Sequence, residues 1–180
     1  MSPIHAALFA FTVFAAPAFA EMTLTSSDIA DGRAMDADQV FDGFGCEGRN
    51  LSPSLSWSGA PEGTASFVVT AYDPDAPTGS GFWHWSVFDI PASATALLEG
   101  AGTATAPLPE GAVQARNDYS QNAFGGACPP EGRTHRYVFT VYAMPQDALP
   151  IDATASGALV GFFANTASLD RASITARYGR

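Results

Sequence analysis

Two loops punctuated by proline and glycine, each handing a histidine to the start of an apolar strand, constrain this chain more than any other feature. The first is Asp73-Pro74-Asp75-Ala76-Pro77-Thr78-Gly79-Ser80-Gly81. It follows the β-branched, apolar run at residues 67–72 and leads into the alternating stretch at residues 84–88, so a stiff connection joins two strands. Pro74 and Pro77 fix their own φ and keep Asp73 and Ala76 out of the helical region, while Gly79 and Gly81 permit the tight return. The second loop, Cys128-Pro129-Pro130-Glu131-Gly132-Arg133-Thr134, precedes His135-Arg136-Tyr137 and an apolar strand through residue 144. Strand side chains alternate, which puts His135 and Tyr137 on one face and Arg136 on the other.

Residues 1–20 contain no Lys, Arg, Asp or Glu and end in Ala18-Phe19-Ala20 after an apolar run too short to anchor in a bilayer. They predict an export signal cleaved after Ala20, and residues 21–180 then form a single domain with a substantial core. The expected destination is the periplasm or the exterior. All eight basic residues are Arg, against eighteen acids and a net charge of −10. That balance argues against nucleic acid or an anionic membrane surface as partner, and no integral membrane span is expected. It leaves room for one small anion in a local pocket, because distant charges are screened over roughly 8 Å in physiological salt. Cys46 and Cys128 are the only cysteines, and in an oxidising compartment they predict a disulfide. Closing that loop stabilises the chain by about 4 to 5 kcal/mol at most in the chain-entropy picture.

Along the chain, alternation predicts strands at residues 22–26 and 54–57, a short one at 38–41, and the strands flanking both loops. Residues 94–98 suggest a helical turn. A helix over residues 155–167, capped by Asp152 or Thr154, carries Leu159, Val160, Phe162, Phe163 and Thr166 as its core stripe. Residues 172–178 favour a last strand through their β-branching. Short strands, turns and one late helix imply a mainly β protein, an antiparallel two-sheet β-sandwich with a C-terminal helix.

Asp73-Pro74-Asp75-Ala76-Pro77 with His84-Trp85, then Pro129-Pro130-x-Gly132-x-x-His135-Arg136-Tyr137, resembles the signature regions of the phosphatidylethanolamine-binding protein family. The element Asn50, Ser52, Pro53, Leu55 and Trp57 is similar to one in its bacterial, Raf-kinase-inhibitor-like branch. The resemblance implies a pocket for a small anion at one end of the sandwich, lined by Asp73, Asp75, His84, Pro129, His135 and Tyr137, with no cofactor. Imidazole, phenol and loop N–H donors suit a phosphate-like group. The carboxylates repel such an anion, so their expected task is to orient His84, to bond loop amides or to meet a ligand ammonium. Taken alone, Asp73 and Asp75 read as turn formers and either histidine as a structural one. Three function classes stay open. The first is an exported module binding a small anionic or phosphorylated ligand, such as the head group of a phospholipid, and acting on a protein partner. The others are a hydrolase or metal-dependent enzyme using the Asp and His side chains, and a protease or kinase-type inhibitor working through its surface.

Overall fold

The structure, a computed structural model, describes residues 21–103 and 105–180, so the predicted export signal lies outside the described residues. Among the described residues, ten strands and one α-helix follow in the order β1 (Thr23–Thr25), β2 (Asp42–Gly43), β3 (Cys46–Glu47), β4 (Leu55–Ser58), β5 (Ser66–Asp73), β6 (Phe82–Pro91), β7 (Ala96–Leu97), β8 (Val113–Gln114), β9 (Thr134–Met144), α1 (Gly157–Ala167) and β10 (Asp170–Gly179). Antiparallel pairing builds a five-stranded sheet in the order β10-β9-β5-β6-β8, a three-stranded sheet β1-β4-β7, and the small hairpin β2-β3. Leu24, Leu55, Trp57 and Leu97 of the smaller sheet pack on Phe67, Val69, Trp85, Val87, Phe139 and Val141 of the larger one. On the opposite face, Val160 and Ala164 of α1 cover Val68, Phe88, Tyr142 and Met144. β5 is therefore buried on both faces, which is why its sequence is a nearly continuous apolar run rather than an alternation. The expected mainly β sandwich is present, and residues 172–178 belong to the strand β10, which follows the helix.

Three local expectations need correction. Residues 37–39 form a 3-10 turn, and only Val40 makes an isolated bridge, to Ala127. Residues 96–97, within the expected helical turn, are instead β7, held by pairing with Leu55 and Ser56. The helix begins later than expected: its N-cap is Ser156, whose hydroxyl accepts the Leu159 N–H, while Asp152 closes a turn onto Thr154. Its stripe also faces differently. Gly157, Val160, Gly161 and Ala164 are the buried positions, and Leu159 and Phe162 point outward at 42% and 60% exposure. Trp83 decides this, because a Cβ on residue 157 would stand 2.5 Å from the Trp83 Cβ and 2.6 Å from its indole, and one on residue 161 would stand 2.5 Å from the indole. Small residues are needed under that ring, and the large ones are turned to solvent.

Candidate anion-binding site

β5 ends at Asp73, and both of its neighbours begin beside that end. Asp73 is opposite Phe82 of β6, and Tyr72 is opposite Val138 of β9. Antiparallel pairing thus brings the two histidine-bearing loops to one edge of the sandwich. β6 carries an extra residue here: Ala71 faces Trp85 and Tyr72 faces Trp83, which leaves His84 unmatched. A bulge of this kind re-aims side chains. His84 and Trp85 are both buried, with the His84 ring edge-on to Tyr137 at 5.1 Å between centroids.

The result is a recess of about 360 Å³ bordered by Asp73, His84, Pro129, His135 and Tyr137, with Phe44, Phe82, Asp118 and Tyr119 toward its mouth. His135 Nδ1 donates to Asp73 Oδ2 at 2.7 Å, both groups being buried. The other oxygen of Asp73 accepts the Asp75 N–H at 2.8 Å. His84 Nδ1 lies 2.7 Å from the Gly125 carbonyl oxygen, and because a carbonyl only accepts, Nδ1 carries the proton. Burial lowers the His84 pKa from its ordinary value, against the pull of that carbonyl and of Asp73. At neutral pH the ring is therefore uncharged, and its Nε2 is an acceptor. Burial, aided by the charge of Asp73, pushes the Tyr137 phenol far above its usual range, so the hydroxyl stays protonated. That hydroxyl is buried and meets no partner in hydrogen-bond geometry among the described residues, the Cys128 N–H exerting only a weak opposing pull on the phenol.

Five of the six expected site residues thus border one recess, and Asp75 does not. Its carboxylate accepts from Nε and Nη2 of Arg136 at 2.9 and 2.7 Å and from the Arg136 backbone N–H at 2.9 Å. These bonds hold it well below the usual carboxylate range, at about 2. The orienting roles also differ from expectation. Asp73 fixes His135, and a backbone carbonyl, not a carboxylate, fixes His84. With Asp75 drawn to the outer face, two histidines and two aspartates do not converge as a four-ligand set, and no group of three or more His, Cys, Asp or Glu side chains among the described residues is placed to hold a metal.

A model of the family described as phosphatidylethanolamine-binding protein matches residues 25–179. The chain belongs to that family. Escherichia coli YbcL is 51% identical over 177 residues, covering 97% of this chain and 96% of YbcL. YbhB of the same organism is 48% identical over 157 residues, covering 87% and 99%. The crystal structure of Escherichia coli YbcL, described as a member of the mammalian PEBP family, superposes with a TM-score of 0.86 at 53% identity, covering 89% of this chain and 99% of that one.

Within this phosphatidylethanolamine-binding fold, several residues that border or brace the recess escape a reading of the two histidine loops. Tyr119 stacks on Phe41 at 4.1 Å and meets Phe82 at 4.7 Å, and its hydroxyl donates to the Gly126 carbonyl. Phe44 stands 78% exposed at the mouth with a left-handed φ of 51°. The available signal was an aromatic residue inside a turn-rich loop, in Gly43-Phe44-Gly45 and in Asp118-Tyr119, where no core periodicity accounts for it. Asn50, from the bacterial signature element, acts through the backbone: its Oδ1 accepts the Gly126 N–H at 2.7 Å beside the carbonyl that orients His84. A side chain at residue 125 would strike Tyr119 at 2.3 Å, so glycine is required there. The predicted Cys46–Cys128 disulfide is formed, with Cα atoms 5.9 Å apart. Arg180 adds a second tie, donating to the carbonyls of Pro129 and Gly45 at 2.7 Å each. Among the described residues no helix is long and apolar enough to cross a membrane.

Proposed function

We propose that this protein is an exported binding module whose recess takes a small phosphorylated molecule, with an amine on the same molecule as the best fit. One observation carries the reading: two histidines are each anchored through Nδ1, which leaves their Nε2 atoms for a ligand beside the unpartnered Tyr137 hydroxyl. Three polar groups bordering one recess with no partner of their own match the several oxygens of a phosphate. Asp73 has both oxygens engaged by His135 and the Asp75 amide, so it sets geometry and is not aimed at the ligand. Asp118 lies toward the mouth, and the Trp83 N–H occupies only its Oδ2, which leaves the second oxygen for an ammonium. The disulfide and the export signal expected at residues 1–20 support an extracytoplasmic site of action.

Neutral His84 adds a requirement. Its Nε2 accepts unless a proton arrives, so an anion binds together with a proton, and affinity rises as the pH falls from neutral toward the lowered pKa of the buried ring. Titration calorimetry with inorganic phosphate, ethyl phosphate and phosphorylethanolamine at several pH values tests this directly. The expected order places phosphorylethanolamine first, with its advantage removed in Asp118→Asn. Loss of the Tyr137 hydroxyl is expected to weaken all three ligands by roughly tenfold, the size of one lost hydrogen bond to a charged group. No saturable binding of any of the three at millimolar ligand would overturn the proposal.

A further inference from the structure

A second and larger concavity adjoins the recess. It has a volume of about 760 Å³ and is lined by Arg133, Arg136 and Arg177 with Asp75, sharing Pro77, Pro130 and His135 with the recess. Three of the chain's eight basic residues meet here, in a protein whose net charge is −10. Register enforces the meeting: Arg136 and Arg177 are direct partners across the antiparallel pair, and both are exposed on the face opposite Tyr137. Like charges directly opposite one another destabilise a sheet, so this pairing works against folding unless something else uses it. Asp75 is the one acid lining the groove, and Arg136 takes both of its oxygens. The guanidinium groups of Arg133 and Arg177 make no hydrogen bond or ion pair among the described residues.

We propose that this groove is a second anion site, distinct from the recess, which takes a multiply charged phosphate such as pyrophosphate or a diphosphate ester. Guanidinium forks bind phosphate oxygens two at a time, and a lone carboxylate leaves two positive charges in excess. One phosphate fits between Arg136 and Arg177, and Arg133 on the adjoining loop meets the next. A singly charged anion would engage only part of the set, so charge number is what the groove selects. The test is calorimetric titration of pyrophosphate at fixed low salt into the wild-type protein, Arg133→Gln/Arg177→Gln, the charge-matched control Arg49→Gln/Arg171→Gln, and His84→Gln. The substituted arginines are all exposed, and thermal unfolding verifies that each variant is folded. The expected result is an affinity loss of about tenfold or more in Arg133→Gln/Arg177→Gln, with the control within about twofold of wild type and an arginine-dependent binding step persisting in His84→Gln. Equal weakening in both double variants would reduce the effect to overall charge. Loss confined to His84→Gln would put the ligand in the recess, and no saturable binding to wild type would remove the site; each of these overturns the proposal while leaving the phosphorylethanolamine result to be judged separately.

Discussion

His84 concentrates the tension between folding and binding at a single side chain. A neutral imidazole is tolerated in this buried position because Nδ1 donates to Gly125, but a charged one is not favoured until an anion arrives. The folded-state pKa lies below the unfolded value, so the unfolded chain takes up a proton first as the pH falls. The stabilising contribution is therefore complete above about 6.5 and is lost as the pH drops below that value toward the folded pKa. Thermal unfolding followed from pH 7.5 to pH 5 should show this decline, and the decline should shrink in His84→Gln. Saturating phosphate should flatten it as well, because the bound anion stabilises the charged ring. Tyr137 makes the complementary case. Its buried hydroxyl lacks a partner, and an unsatisfied buried group costs about 1 to 3 kcal/mol. Tyr137→Phe should therefore match or exceed wild-type stability in urea unfolding, by up to about 1 kcal/mol, while losing phosphate affinity. A purely structural tyrosine would show the reverse. The residue types at this site were legible in the sequence, since two loops each delivered a histidine. The bulge at His84 was not, because alternation through residues 84–88 carries no mark of the one residue that breaks it.

At the scale of elements, α1 shows how a correct helix can be given the wrong face. Periodicity chose Leu159 and Phe162 for the core because they are large and apolar, whereas Trp83 from a neighbouring strand admits only glycine beneath its ring. Such a constraint comes from residues distant in the chain, so no local pattern contains it. It yields a prediction with two opposed contributions. Gly161→Ala gains about 1 kcal/mol in helix propensity, but its methyl group would stand 2.5 Å from the indole. Overpacking of this kind costs about 1 to 3 kcal/mol, and the contact is too close for the propensity gain to offset. Equilibrium unfolding should show net destabilisation in Gly161→Ala, whereas alanine at the exposed Phe162 should be close to neutral. β7 differs from expectation for a related reason: the helix formers Ala and Leu in residues 94–98 make too short a run to hold a helix alone, and pairing with Leu55 and Ser56 decides the conformation of Ala96 and Leu97. The strands buried on both faces were the easiest to recognise, because continuous apolar runs such as residues 67–72 need no partner to be interpreted.

For the whole molecule, the recess depends on ties between segments that the central sheet does not itself hold. Cys128 and Pro129 form one wall, Phe44 stands at the mouth, and these belong to loops outside the five-stranded sheet. The disulfide spans 82 residues and fastens the second histidine loop to the β2-β3 hairpin, while Arg180 bonds carbonyls on both sides of the same junction. A crosslink over a loop of this length stabilises the folded chain by about 4 to 5 kcal/mol at most, through the entropy it removes from the unfolded ensemble. That effect on the unfolded chain is separable from any effect on the recess. Cys46→Ser/Cys128→Ser should lose about 2 to 5 kcal/mol in urea unfolding. Arg180→Ala leaves the crosslink in place and should lose much less, because it removes hydrogen bonds at a partly exposed position. If the two ties also hold the recess in shape, both variants should bind phosphorylethanolamine more weakly than wild type under conditions where each is fully folded. Weakening in the cysteine variant alone would assign the wall to the disulfide, and undiminished binding in both would show that the strand ends at Asp73, His84 and His135 suffice.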